Sequence, residues 1–236
     1  KRQPMHGAYM NYDFEAMVGV LVLEAQRAGA VVVGEDLGTF EPWVQDVLRD
    51  KGILGTSVLW FESVPPEAPR PSQQYRNLAL TAVGTHDLPP TAGYLEGAHN
   101  ALRHKLGLVK ESLEELNATD AVWISQVLAA AQAEGAFDGT PLAEVNFLDR
   151  DLGEYDDVDT LVEGLTRFVA STPSAMTCTN LVDMVGDTRI QNQPGTNREM
   201  YSNWCIPLCD ASGTPVLIED LPDVALFQRI AAASAR

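Results

Sequence analysis

The chain has 236 residues, 45% of them hydrophobic, which suffices for a sizeable core and is too apolar for a disordered segment. Its 33 acidic residues outnumber 16 basic ones, and the formal net charge of −17 would repel a phosphate backbone or an anionic membrane surface. Nucleic acid and membranes are therefore not expected partners, whereas a neutral ligand meets no such penalty.

Residues 1–12 read as a loop that carries Gly7, Tyr9 and Tyr12, with no apolar region of the signal-peptide kind. The chain does not start with Met and enters a helical pattern almost at once, so it reads as a piece of something longer. From 13 to 28, Phe14, Met17, Val18, Leu21 and their neighbours recur at helical spacing behind Asp13, a good N-cap, and Gly29 stops the helix. The β-branched run Val31-Val32-Val33 predicts a buried parallel strand, which breaks at Gly34-Glu35-Asp36-Leu37-Gly38. A helix is predicted over 41–51 with Pro42 in its first turn, then a strand over 57–61 that ends at Glu62.

Four prolines between 64 and 71 predict an extended loop. A strand over 81–85 runs into His86-Asp87, and a long helical stretch follows over 98–136, its 110–115 segment read as a solvated face. The acids between 149 and 159 do not have EF-hand spacing and read as an acidic surface turn. A helix over 160–171 buries Leu161, Leu165, Phe168 and Val169; a fourth strand over 175–182 closes on Asp183. After a polar loop from 186 to 204, a helix over 220–236 completes the chain. The rhythm is βα, which predicts an α/β fold, and no linker marks a domain boundary.

Chemistry in parallel α/β folds sits at the carboxyl ends of strands. Glu35 and Asp87 lie at two such ends and form the carboxylate pair that glycoside chemistry needs, one to protonate a leaving oxygen and others to stabilise positive charge at the anomeric carbon. Amides and aromatics mixed in the 186–204 loop suit sugar hydroxyls and the C–H face of a pyranose. No G-x-G-x-x-G or P-loop lysine follows a strand, which argues against a nucleotide-binding domain. Cys178, Cys205 and Cys209 form no CxxC pair and have no histidine at zinc-ligand spacing; they read as thiols in a reducing cytosol, so the expected location is cytoplasmic. No stretch approaches the roughly 20 apolar residues that span a bilayer.

Three motifs in order, Gly34-Glu35-Asp36-Leu37-Gly38, Thr85-His86-Asp87, and Asn192-Gln193-Pro194-Gly195-Thr196 with Asn203-Trp204, resemble those of the 4-α-glucanotransferases, the amylomaltases and disproportionating enzymes of glycoside hydrolase family 77. The likeness runs from about residue 7 to residue 221. It implies a (β/α)8 TIM-type barrel of which this chain is the second half, one partial catalytic domain over 1–236 with a helical insertion at about 98–171. It also implies a retaining double displacement that moves α-1,4-glucan segments between maltodextrins, with no cofactor and no metal. By motif, Glu35 is similar to the general acid/base and Asp87 to the transition-state stabiliser. His86 looks like the hydroxyl-binding neighbour, Phe61 like the aromatic of the substrate cleft, and Asn192 like the acceptor-side amide. Tyr9 corresponds to a loop aromatic over the acceptor sugars, and Asp36 is grouped with the substrate-binding residues.

One element of the family pattern is missing: no Arg-x-Asp-His segment precedes the Glu35 strand, so the nucleophile is not in this chain. The expected partners are therefore α-1,4-glucans such as maltose, maltotriose and maltodextrins, together with the other half of the barrel. The chain alone is expected to be inactive. Two other readings are a non-catalytic maltodextrin-binding module and a clan-related α-glucan hydrolase.

Overall fold

Asp13 starts the first helix as its short carboxylate predicts, its Oδ1 accepting from the Ala16 N–H at 3.1 Å. A computed structural model describes residue 10 and residues 12–235, so Tyr9 and most of the amino-terminal loop lie outside the described residues. The chain divides into two compact units, residues 1–56 and residues 57–236.

In the first unit, α1 (Phe14–Ala28) ends at Gly29, whose φ of 62° supplies the left-handed cap. Helix α2 (Trp43–Asp50) begins one residue after Pro42, which serves as its N-cap rather than lying in its first turn. The valine run departs from expectation. Only Val33 forms a bridge, parallel to Leu54, framed by Gly34 N–H to Leu54 O at 2.7 Å and Leu54 N–H to Val32 O at 3.0 Å. Val31 is 68% exposed and Val33 39%. A run of valines specifies a strand covered on both faces; a single bridge gives it one paired position and no cover.

Strand β1 (Gly55–Val58) is shorter than predicted and turns into a 3-10 segment, Leu59–Phe61, so Phe61 sits on a turn and not on a strand. The proline-rich stretch is not a plain extended loop. It forms an antiparallel hairpin, β2 (Ser63–Val64) with β3 (Ala68–Pro69), because the ring nitrogens can be accommodated in a two-residue pairing with a tight turn. Strand β4 (Ala79–Ala82) ends three residues before Thr85, leaving Thr85-His86-Asp87 in the loop that follows.

Helix α3 (Thr91–Leu95), which the sequence pattern does not mark, leads to α4 (Ala98–Lys105) and α5 (Leu113–Ala133). The predicted single helix over 98–136 is thus broken. Gly107, at φ 66°, ends the first part, and Ser112 with Glu115 forms a capping box that starts the second. The 110–115 segment is therefore a helix start and not a mid-helix face. Helix α6 (Val158–Ala170), capped by Asp157, leads to β5 (Met176–Cys178). The fourth strand is cut short as well, for α7 (Leu181–Met184) begins directly after Asn180, which places Asp183 on a helix. The last helix, α8 (Ala225–Ala233), follows a 3-10 segment over Ile218–Asp223.

The sheet order is β1-β4-β5, with β4 and β5 parallel and Thr81 opposite Thr177. This is the parallel pairing a βα rhythm requires. The core of the second unit is built from Ile124 and Leu128 of α5, Leu161 and Leu165 of α6, Ile230 of α8, and Phe137 with Phe147 between them. Gly164 permits the close approach: a Cβ there would stand 2.1 Å from the Phe137 ring. Among the described residues no helix is long and apolar enough to cross a membrane.

Candidate functional site

Glu35 sits two residues beyond the Val33 bridge and is exposed. The turn that carries it is pinned from its neighbours. Asp36 is 5% exposed and its Oδ1 accepts the Thr56 N–H at 2.7 Å, while the Thr56 hydroxyl donates to the Gly34 carbonyl at 3.1 Å. Asp36 thus anchors the Glu35 turn to Thr56 at the start of β1.

In the second unit the Thr85-His86-Asp87 loop meets the 186–204 loop. The Asn192 amide donates to Asp87 Oδ1 at 2.6 Å across 105 residues of sequence, and His86 Nε2 stands 3.6 Å from Asp87 Oδ2. The fold thus brings together two motifs that lie far apart in sequence, Thr85-His86-Asp87 and the Asn192 loop. The His86 ring also lies 5.6 Å from that of Trp204, which is 59% exposed and holds a left-handed φ of 61°. A bulky aromatic at positive φ is uncommon and is held there by its surroundings. Its N–H donates to Gln191 O at 2.9 Å, and the Asn203 side chain accepts from Gln193 N–H at 2.7 Å and donates to Thr196 Oγ1 at 2.8 Å.

A buried ion pair secures the loop's base. Asp187 is 1% exposed and takes Arg189 through two bonds, at 2.9 and 2.7 Å, and Arg189 also donates to Pro207 O at 2.6 Å. The hydrogen bonds that Arg189 donates to the Asp187 carboxylate push its guanidinium further above its already high pKa. On the other side Gly93 of α3 lies against the loop, for a Cβ there would stand 2.3 Å from the Thr188 carbonyl oxygen. Asp183, expected at a strand end facing the site, is instead 3% exposed and accepts Thr91 N–H at 2.6 Å and the Thr91 hydroxyl at 3.0 Å. It caps α3; burial pushes its carboxyl up to about 6, against the lowering effect of the Thr91 bonds.

Together these elements enclose a cleft of about 390 Å³ within the second unit, lined by Trp60, Phe61, Asp87, Tyr94, Asp120 and Asn192 among others. Trp60 and Tyr94 meet edge to face, centroids 4.8 Å apart, and Tyr94 packs on His99 at 4.7 Å. Burial and the charge of Asp120 raise the Tyr94 hydroxyl pKa, so Tyr94 is a neutral donor. Trp60, Tyr94, His99, Arg103 and Asp120 escape sequence reading. The one legible signal is the i,i+4 spacing of His99 and Arg103; Asp120, the partner of His99, comes from another helix. Among the described residues no three histidine, cysteine or carboxylate side chains cluster as a metal site would.

Within the second unit, a carboxylate held by an amide beside an aromatic-walled cleft suits a neutral ligand rich in hydroxyls, as a carbohydrate is. Comparison with known proteins then gives the family. The glycoside hydrolase family 77 model, described as 4-alpha-glucanotransferase, matches residues 1–211. The 4-alpha-glucanotransferase of Mycobacterium tuberculosis is 45% identical over 226 residues, 92% of this chain and 29% of that protein. The crystal structure of amylomaltase from Corynebacterium glutamicum superposes with a TM-score of 0.91 at 53% identity, covering 97% of this chain and 32% of that one. The amylomaltase from Streptococcus agalactiae in complex with acarbose shares the fold, with a TM-score of 0.56 at 17% identity over 98% of this chain and 36% of that one. The chain belongs to the 4-alpha-glucanotransferase family, and spans about 29% of the length of its Mycobacterium relatives.

Proposed function

We propose that this chain supplies the proton donor and the transition-state stabiliser of a 4-α-glucanotransferase, as the second half of its (β/α)8 barrel, with the helical insertion at about 98–171 forming one wall of the cleft. The observation that carries the reading is the Asn192–Asp87 bond at 2.6 Å, which joins two motifs 105 residues apart at one cleft. Glu35 gives its proton to the departing glycosidic oxygen as the bond from the anomeric carbon to that oxygen breaks, and a carboxylate outside this chain takes the glucanyl group. In the second half-reaction Glu35 takes the proton of an acceptor 4-hydroxyl, and the new α-1,4 bond forms.

Asp87 holds ring hydroxyls of the distorted sugar, its geometry fixed by Asn192, and His86 donates beside it. Phe61, 55% exposed at the cleft, offers an apolar face to a sugar ring. Tyr9 acts on the acceptor side. For Asp36 the Thr56 bond favours orienting Glu35 over touching substrate. The substrates are α-1,4-glucans of the maltodextrin, glycogen and starch type, and the setting is the cytoplasm.

Because no Arg-x-Asp-His segment is present, the chain alone binds maltodextrin without transferring it. Incubation of the purified chain with maltotriose yields neither glucose nor longer products, while Trp60 and Trp204 fluorescence responds to the sugar. Disproportionation by the chain alone, or no response to any maltodextrin, would overturn the reading.

A further inference from the structure

The floor of the cleft carries a second polar group that the Glu35–Asp87 chemistry leaves unused. His99 and Arg103 stand one turn apart on α4, and Asp120 faces them from α5. Asp120 Oδ2 receives His99 Nε2 at 2.8 Å and the Asn100 amide at 2.7 Å. Those bonds tie α4 to α5 and explain why Asn100 and His99 are buried. Burial works to raise the Asp120 pKa, but the His99 and Asn100 bonds and the charge of Arg103 outweigh it and hold the carboxyl below its ordinary value. An ionised Asp120 only accepts, so His99 donates through Nε2, while its buried Nδ1 has no partner among the described residues.

This bracing uses one oxygen of Asp120 and none of Arg103. Asp120 Oδ1 receives no protein donor, and the half-buried Arg103 guanidinium enters no hydrogen bond or ion pair among the described residues. Both residues line the same cleft as Asp87 and Asn192, with Tyr94 between them and the Trp60 wall. Structural need accounts for His99 and Asn100; it does not account for a guanidinium and a carboxylate oxygen left open to a concave, aromatic-walled space.

We propose that Asp120 and Arg103 form a second glucosyl-binding point in this cleft, which grips the hydroxyls of a sugar unit beyond the one held at Asp87. Each sugar hydroxyl both donates and accepts, so an acceptor oxygen beside a fork of N–H donors suits a pair of vicinal hydroxyls, and the Tyr94 ring supplies an apolar face for the C–H side. An anionic ligand fits less well, since two carboxylates, Asp87 and Asp120, face it against the one arginine lining the cleft. A cation is disfavoured by that arginine. The volume of about 390 Å³ lies within the roughly 300–1,000 Å³ of ligand pockets, so the cleft has room for an oligosaccharide segment. The consequence is that Asp120 and Arg103 set the preference for longer glucans.

The inference rests on the α-glucan reading above. Its test uses the full-length protein that contains this chain, with Arg103→Gln and Asp120→Asn, and maltotriose through maltoheptaose as donors. Asp120→Asn can keep its bonds from His99 and Asn100 through the amide oxygen while turning the open atom from acceptor to donor. For maltoheptaose kcat/KM falls about tenfold in either variant, mostly through KM, the size expected for one lost charge-assisted hydrogen bond. For maltotriose the fall is about threefold or less. An equal fall at every length, a fall confined to kcat, or no fall at any length would overturn the proposal. If the unaltered protein turns over no α-glucan, the broader reading fails instead. Should Asp120→Asn not fold, Arg103→Gln alone carries the test, because its guanidinium holds nothing among the described residues.

Discussion

The two units differ in what they bury. In residues 1–56 helix α1 has no buried residue, and Met17, Val20, Leu21 and Leu23 are between 45% and 62% exposed. In residues 57–236 whole side chains, such as Leu161, Leu165, Ile124 and Ile230, are fully enclosed. Glu35 is carried by the first kind of structure and Asp87 by the second. Local order in the first unit comes from caps, the Asp36–Thr56 clamp and the small buried pair Ile53 and Leu54, and in the second from an extended packed core, so mutations in the two should act on different quantities.

The strongest way to break this contrast is Phe137→Ala against Leu21→Ala. Loss of a fully enclosed ring should cost about 3–5 kcal/mol in urea unfolding, whereas the exposed Leu21 should shift it by no more than about 0.5 kcal/mol. Equal effects would erase the distinction.

Next in size is the pH dependence at Asp183. Its native pKa of about 6 exceeds the ordinary aspartate value of 3.8, so between those values the native state keeps a proton that the unfolded chain has lost. Its contribution is full below about pH 4 and fades as pH rises through 6, by on the order of 3 kcal/mol. Asp183→Asn should remove that fall, so the stability difference between variant and parent grows in the variant's favour from pH 4 to 7; a constant difference would count against it.

Arg189→Ala should cost about 2 kcal/mol, below the ~3–5 of a fully buried pair because Arg189 is 38% exposed. Hydrogen exchange should quicken across 187–204 and not in α6. The smallest effect belongs to Ser112→Ala, about 1 kcal/mol from the lost capping box, read as a lower urea midpoint.

Much of this was legible from residue order. Asp13, Gly29 and the apolar face of α6 behave as their residue types dictate, because caps and periodicity are local. The three motifs that carry the family likeness are local as well. What the pattern hid depends on distant partners. Ser112-x-x-Glu115 could have been read as a helix start, but the alanines and leucines around it carry the same helical propensity. Asp183 looks like a strand-end acid until Thr91, 92 residues away, claims both its oxygens. The valine run before Glu35 promises a buried strand, yet burial is a property of neighbours, and its one bridge is to Leu54. The His99–Asp120 pair joins two helices whose separation was itself unforeseen.

The central claim is that Glu35 moves the proton. Glu35→Gln in the full-length protein, followed as glucose released from maltotriose, tests it most directly. The expected result is a fall in kcat of roughly 10²–10⁴-fold, the range for a positioned acid/base, with maltotriose affinity kept within about threefold. A variant that retains more than a tenth of the parent kcat would contradict the assignment.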